Sequence, residues 1–395
     1  LFSLYHGFSF KSKNKIYFKM NWSYWEQDLF SSPYDIVIVG AGFSGLSTAY
    51  FLARTRPELS IAVLEERVIQ RAASTRNAGM ACISSISELI DDVEHSGWAP
   101  VLKLVEQRWR GLKLMQQLFP AELIDFRLVP AGELFFEGQK YGKDRYLHRI
   151  DEANEYLKEI TGSNYFSITE PFLGTRKGQV MVKHRAEGQI HPGRLHRAWM
   201  NRVRANGVDI FEGVRCLSHE KKNEDIYIRT SGPSLSTKQL LVCTNGEAGE
   251  LLKGAAVHQV QNHVFVFAPK DGVDWSGNLH AESGYIYARN IGHRLLVGGA
   301  RHITTDKGQE LGNNDEEVRS YLMDFASEYL WTKSKNELPQ PEFEWTGYLG
   351  VGPQKTPLLK EWTPGVFALC RLSGMGVALS TYLGQKTAAK LIENL

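Results

Sequence analysis

The sequence is short of cysteine, of any excess of one charge, and of clean apolar runs. Its four cysteines, Cys82, Cys216, Cys243 and Cys370, include no C-x-x-C pair. They spell out neither a metal site nor a disulfide framework, so no metal is expected and a reducing compartment, the cytoplasm, is. Forty-six basic side chains against 44 acidic ones leave a formal charge of +2, which gives no sign of a nucleic-acid surface. The only stretch approaching membrane-spanning length, Ile36 to Ala53, is uncharged but holds three glycines between Asp35 and Arg54, so a span is not expected. No repeat or low-complexity tract is visible.

What remains is the composition of an ordinary globular chain. At 395 residues, 43% hydrophobic, it can bury a large core in two domains or one discontinuous pair. Leu1 to Lys19 is aromatic and basic, and matches neither a signal peptide nor a typical transit peptide. The expectation is a native start at Met20 after an unstructured extension.

The strongest pattern runs from Tyr34 to Glu66: apolar run, glycine-rich turn, helical stretch, second apolar run ending in acid. Gly40, Gly42 and Gly45 form G-x-G-x-x-G. The first glycine permits the tight turn, the second the approach of a pyrophosphate, and the third close packing of helix on strand. Phosphates are expected at the N-terminus of the helix from about Phe43, by Ala41 and Ser44, where free N–H groups favour negative charge. Glu65, with Glu66 beside it, ends the second run, where a carboxylate can accept from ribose hydroxyls.

Further along, Val101 to Phe119 and Leu147 to Ile160 carry helical periodicity, and Phe126 to Phe136 alternates as strands do. A helix is expected from Arg194 to about Asn206. Gln239 to Thr244 reads as a buried strand, and His258 to Ala268 and Tyr285 to Gly299 as long strands. Asn314 to Trp331 is amphipathic. The chain closes by repeating the opening logic: Val366 to Cys370, a glycine turn, then a helix to about Ile392. A glycine turn near each end implies a discontinuous dinucleotide domain with another domain inserted. The second helix can aim its amino end at a further anionic or electron-rich group.

Four blocks, IVIVGAGFSGLSTAYFLA with LEE, AASTRNAG, EGQIHPGRL with LLVCTNG, and WTGYLGVGPQKTPLL with CRLSGMGVALSTYLGQKTAAKLI, resemble in content and order the D-amino-acid oxidase-like FAD-dependent oxidoreductases. That group includes glycine, sarcosine and γ-glutamylputrescine oxidases. The resemblance implies an α/β chain (α+β overall): a Rossmann-like FAD-binding domain with an inserted substrate domain on a large mixed or antiparallel sheet. The FAD-binding parts would be 34–95, 181–255 and 351–395, the substrate parts 96–180 and 256–350, after an extension at 1–33. FAD would meet Gly40, Gly42 and Gly45 at its pyrophosphate and Glu65 at its ribose. Ser74, Thr75, Arg76 and Asn77 would line the ribityl chain and one flavin edge. Cys216 and the turn Thr244, Asn245, Gly246 would lie by the adenosine. Gly374, Met375, Gly376 and Val377 would face the flavin pyrimidine ring, where a positive field favours the reduced anion. No histidine stands in the Thr75 to Gly79 loop, and Cys370 reads as a buried strand residue, so non-covalent FAD is expected.

The implied activity is oxidation of a C–N bond of an amine or amino acid, by hydride transfer to flavin N5 and hydrolysis of the resulting imine. Oxygen or an electron carrier would take the electrons. Two alternatives stay open: an FAD-dependent 2-hydroxy acid dehydrogenase feeding a quinone or carrier, and a non-catalytic flavoprotein or tRNA-modifying or assembly factor. Tyr285, Tyr287 and Tyr348 are candidate walls of the substrate pocket. Leu349 stands where the glycine oxidase type carries its carboxylate-binding arginine, which leaves Arg301 or Arg289 as substitutes. Lys355 is the candidate for stabilising reduced flavin or superoxide. Neither substrate nor oligomeric state is readable.

Overall fold

The computed structural model describes residues 23–25, 33–139, 142–171, 175, 180–270, 272–273, 276–305, 315–330 and 338–395. The segment Leu1 to Lys19 and the expected start at Met20 lie outside these residues, as do Asn314 and Trp331 at the ends of the expected late helix. Of that helix the structure describes Asp315–Phe325, followed by a π-helical turn, Ala326–Leu330.

Two sheets carry the chain. The first has eight strands. Along it run β16 (Leu358–Thr363), β17 (Val366–Cys370), β10 (Leu235–Val242), β1 (Tyr34–Val39), β2 (Ile61–Glu65) and β7 (Asp209–Glu212). Strands β8 (Cys216–Lys222) and β9 (Asp225–Thr230) extend it from β10. From β17 to β7 the pairing is parallel. A parallel sheet is covered on both faces, which explains why IVIV, IAVL, LLV and VFALC are unbroken apolar runs. Ile36, Ile38, Ile61, Val63 and Leu241 pack on one side, and Val37, Val39, Ala62, Leu64 and Val242 on the other.

Six helices frame the site: α1 (Phe43–Thr55), α2 (Ala73–Arg76), α3 (Ile86–Ser96), α4 (Trp98–Leu118), α5 (Pro192–Ala205) and α6 (Gly376–Glu393). The first and last touch backbone to backbone. A Cβ on Gly384 would lie 2.1 Å from Ser47 Oγ, whose hydroxyl donates to Ser380 O at 2.8 Å. Likewise a Cβ on Gly111 of α4 would lie 1.9 Å from Ala378 O. The chain's two ends are thus locked side by side. Ile36 to Ala53 is divided by the glycine turn between β1 and α1, and among the described residues no helix is long and apolar enough to cross a membrane.

The second sheet has nine strands. Its path is β15 (Phe343–Val351), β11 (His258–Phe267), β14 (Arg294–Gly299), β13 (Ile286–Ile291), β12 (Asn278–Ala281), β4 (Arg127–Phe135), β6 (Val180–Gln189) and β3 (Met80–Ala81), with β5 (Phe166–Thr169) on β6. All pairs are antiparallel except β12 with β4. The long strand expected over Tyr285 to Gly299 folds into a hairpin at Gly292 (φ +57°). Two sequence boundaries do not follow the sheets. Strand β6 lies almost wholly within 181–255 yet pairs with β4, and β3 lies within 34–95 yet pairs with β6. Both segments were assigned by the motifs next to them, and hydrogen bonding takes them to the other sheet.

Candidate active site

The opening turn is built by its glycines. Gly40 has φ +107°, and a Cβ there would sit 2.9 Å from Cys243 O; a Cβ on Gly45 would sit 2.0 Å from Gly40 O. Between them the Ala41 N–H donates to Glu65 Oε2 (3.0 Å), and the Arg67 N–H donates to Glu65 Oε1 (3.1 Å). The carboxylate therefore ties the turn to the end of β2 while lining the cleft beside it. The Phe43 N–H donates to Ser74 Oγ (2.9 Å), so α2 is pinned against the start of α1. Helix α1 has no side-chain cap at Gly42, and α6 has none at Met375. Each leaves amino-end N–H groups and a positive dipole end available.

Two clefts open along this seam and share Ala73. The first, about 930 Å³ counting its open mouth, brings together Gly40, Gly42, Glu65, Glu66, Ser74, Cys216, Thr244, Asn245, Gly246 and Tyr348. The second, about 1060 Å³ on the same measure, gathers Arg76, Asn77, Tyr287, Arg301, Lys355, Gly374, Met375 and Val377, with Val264 and Leu349. Buried Thr244 Oγ1 and Asn245 Oδ1 at the first cleft, and Ser373 Oγ at the second, have no hydrogen-bond partner among the described residues. Buried polar atoms are rarely left so. Bare-backbone turn, carboxylate, unmet polar atoms and a second uncapped helix end together fit a long dinucleotide whose phosphates lie in one cleft and whose ring system lies in the other.

A family model described as "DAO: FAD dependent oxidoreductase" matches residues 35–390. The chain belongs to this family. Its cofactor is accordingly FAD, and it is an oxidoreductase. Among curated proteins it is 23% identical over 363 residues to a probable oxidoreductase of Rhizobium meliloti (strain 1021), OrdL, covering 89% of this chain and 81% of that one. It is 26% identical over 230 residues to the γ-glutamylputrescine oxidoreductase of Escherichia coli (strain K12), covering 55% and 50%. Among solved structures, glycine oxidase from Geobacillus kaustophilus superposes with a TM-score of 0.69 at 18% identity, over 91% of this chain and 95% of that one. Iminodiacetate oxidase from Chelativorans sp. BNC1 gives 0.71 at 14% identity, over 91% and 96%. The DAO-family fold expected from the motifs is the one observed.

The residues singled out in this DAO-family chain are not all on the cleft walls. Ala41, Phe43, Ser44, Gly45, Thr75 and Gly376 line neither cleft. The hydroxyl of Thr75 donates back to Gln70 O (3.1 Å). Arg76 and Asn77 reach the second cleft, but their polar ends fix the loop. Arg76 donates to Thr346 O (2.5 Å), and Asn77 donates to Ser74 O (2.9 Å) while accepting from the Gly79 N–H (2.9 Å). Glu66 pairs with Arg67 at 2.7 Å. Tyr348 faces the first cleft and not the second; side chains alternate along β15, so Gly347 and Leu349 take the inner face. Tyr285 lines a third cavity, also lined by Asp91, Glu133 and Glu282.

The two candidate arginines part company. Arg289 is buried, and its Nη1 donates to Ala78 O (3.0 Å), Gly79 O (2.7 Å) and Ile190 O (2.9 Å). Burial pushes its guanidinium down to about 10. It is a clamp between loops, not a substrate anchor. Arg289→Met is expected to cost about 3 kcal/mol of stability, since it strips the donor from three carbonyls, and the fall in melting temperature checks this. Arg301 instead lines the second cleft, its guanidinium 4.6 Å from the centre of the Tyr285 ring. Beside it the Tyr287 hydroxyl accepts from Asn262 Nδ2 (2.8 Å), and burial raises its pKa, so the phenol keeps its proton.

Lys355 does reach the second cleft, but its charge is already engaged. Its Nζ lies 3.3 Å from Glu88 Oε1 and 2.8 Å from Asp92 Oδ1, and Arg108 adds a contact of 3.4 Å to Glu88. Burial disfavours the lysine charge, yet the two carboxylates raise its pKa. Burial would also raise Glu88, but Lys355 and Arg108 hold it down to about 2. A depressed carboxylate contributes stability above its ordinary range and loses it as pH falls through the folded value. Glu88→Gln is therefore expected to flatten the decline in melting temperature between about pH 4.5 and about pH 2. Lys355→Met should cost roughly 1–2 kcal/mol, discounted from a fully buried pair because Lys355 is more than one-third exposed.

Sequence reasoning passed over Glu88, Asn262, His280 and Glu187, and set Cys82 aside. Glu88 does carry a local sign, because Ser85 begins an S-x-x-E box: Ser85 Oγ accepts from the Glu88 N–H (3.3 Å) at the start of α3. Glu187 opens the EGQIHPG block. His280 has no such marker.

Proposed function

We propose that this chain oxidises the C–N bond of a small amine or amino acid that carries a carboxylate, within the cleft formed by Arg301, Tyr287, Leu349 and Met375. The observation that carries the reading is the position of Arg301. It lines the second cleft beside the apolar Val264, Leu349 and Met375, where Lys355 is already paired with Glu88 and Asp92, and the uncapped end of α6 opens on it. FAD, when bound, supplies the two-electron acceptor for the substrate hydride. Gly374, Met375 and Val377 would hold the ring system, Gly40 and Gly42 the pyrophosphate, and Glu65 the ribose. The guanidinium would bind a carboxylate by paired, charge-assisted hydrogen bonds. Val264, Leu349 and Met375 exclude water from the amine, which lowers its pKa and favours the neutral form that gives up hydride. The neutral Tyr287 phenol, accepting from Asn262, keeps its own proton to donate into the chamber.

Names of relatives support this class: glycine oxidase, γ-glutamylputrescine oxidoreductase and iminodiacetate oxidase. We assign the β1-containing sheet with α1 and α6 to the FAD-binding domain and the nine-stranded sheet, including β3 and β6, to the substrate domain. Four cysteines, all thiols, support a cytoplasmic setting. The test is anaerobic mixing of the holoprotein with amines, N-methyl amino acids, D-amino acids and 2-hydroxy acids. Bleaching by an amino acid, followed in air by peroxide, supports an oxidase; bleaching without peroxide supports a carrier. Bleaching by hydroxy acids alone would replace the reading with a hydroxy acid dehydrogenase, and no bleaching with any of them would remove it.

A further inference from the structure

We propose that Cys82, Glu187 and His280 form a binding site for a thiophilic divalent cation, Zn(II) by ligand type, in the wall of the second cleft. The ligating atoms of these residues all lie within 4.8 Å of one another. They come from three separate places: Cys82 just beyond β3, Glu187 on β6 and His280 on β12, the last two 93 positions apart. Thiolate, imidazole and carboxylate together are a donor set that selects zinc over magnesium or calcium.

The surroundings are arranged as metal sites require. Glu187 is buried, and its position is fixed from its other oxygen: His184 Nδ1 lies 2.6 Å from Oε1. Asn278 Nδ2 donates to Oε2 at 3.2 Å, and His280 Nε2 lies 3.0 Å from the same oxygen. His184 and Asn278 are outer partners of the kind that orient first ligands and raise their basicity, while the His280 contact is between two ligands and opens when the cation enters between them. His184 Nε2, deep in the protein, has no hydrogen-bond partner among the described residues. Cys82 and His280 both line the cleft, which supplies an entry path and a fourth coordination position open to the chamber.

Tetrahedral zinc with bonds of about 2.0–2.3 Å sets its ligands roughly 3–4 Å apart. The three groups need to close by about 1 Å, within the reach of side-chain rotation. The exchange balances in charge. The cation enters with two positive charges, while the thiol proton and the proton between His280 and Glu187 leave to solvent. Binding is therefore expected to weaken as pH falls. A filled site projects its open position where the substrate chamber lies, so occupancy should slow oxidation and a chelator should restore it.

The test uses the FAD-loaded full chain. Dialysis against Zn(II) followed by elemental analysis is expected to give one zinc per chain, and Cd(II) is expected to add a thiolate charge-transfer band in the ultraviolet. Cys82→Ser should abolish the band and weaken zinc binding by more than about 100-fold. His280→Gln should weaken it similarly, and His219→Gln, on β8, should leave it unchanged. If Cys82→Ser loses its flavin absorbance or melts early, Cys82→Ala serves in its place. Less than stoichiometric zinc in the wild type, or stoichiometric zinc that survives both ligand substitutions, overturns the proposal. Metal content is read without substrate, so it stands or falls separately from the amine chemistry.

Discussion

Gly45→Ala is expected to purify without its yellow cofactor. The added methyl would sit 2.0 Å from Gly40 O, and that carbonyl belongs to backbone, not to a flexible side chain that could swing away. Relief requires α1 to move off β1, which shifts the Phe43 N–H from Ser74 and the Ala41 N–H from Glu65. Overpacking of this kind costs about 1–3 kcal/mol where a core can adjust. Here the adjustment falls on the phosphate end of the helix, so FAD retention should drop at least about tenfold. The flavin-to-protein absorbance ratio after gel filtration is the measurement. Gly142→Ala, whose methyl would meet nothing within 4 Å, should match the wild type. A Gly45→Ala protein as yellow as the wild type would show that the turn does not seat the dinucleotide.

Arg301→Met should separate substrates by their carboxylate. For an amino acid, loss of a paired charge in a partly enclosed chamber is worth about 2 kcal/mol, hence roughly a 30-fold fall in kcat/KM, carried mostly by KM. An amine of the same size without a carboxylate should change little. Because the guanidinium also stacks on Tyr285, Arg301→Lys keeps charge but loses the planar fork, and should recover only part of the affinity. Equal losses for both substrates would place Arg301 in the chamber wall alone.

What the sequence disclosed follows the range of the interactions involved. The β1–α1–β2 unit is local: its glycines, apolar runs and terminal Glu65 are neighbours in the chain, and each element formed close to where periodicity placed it. The clefts are different. Whether Tyr348 or Leu349 faces the chamber depends on the register of β15 against β11, in which Leu349 pairs with Val260. Alternation alone says that the two residues oppose each other, without saying which is inside. Arg289 and Arg301 were equivalent in sequence because both flank β14, and they separated only when Gly79 and Ile190 were folded against the first. The pairing of Lys355, a candidate for stabilising reduced flavin or superoxide, was not legible because its partner Glu88 lies 267 residues away. The strands β3 and β6 pair in the nine-stranded sheet for the same reason, through partners distant in sequence.

The order of strands has a consequence for biosynthesis. In the parallel sheet the last strand, β17, hydrogen bonds directly to β10, and β10 to β1; the final helix lies against the first. A ribosome therefore delivers the mononucleotide-binding half long before the segment that completes the pocket exists. The first cleft is lined by nothing beyond Tyr348, whereas the second draws on Ser373, Gly374, Met375, Val377 and Ala378 and is complete only once these have emerged; a nascent chain arrested before Val366 would leave the hydrogen-bonding edge of β10 unpaired by β17.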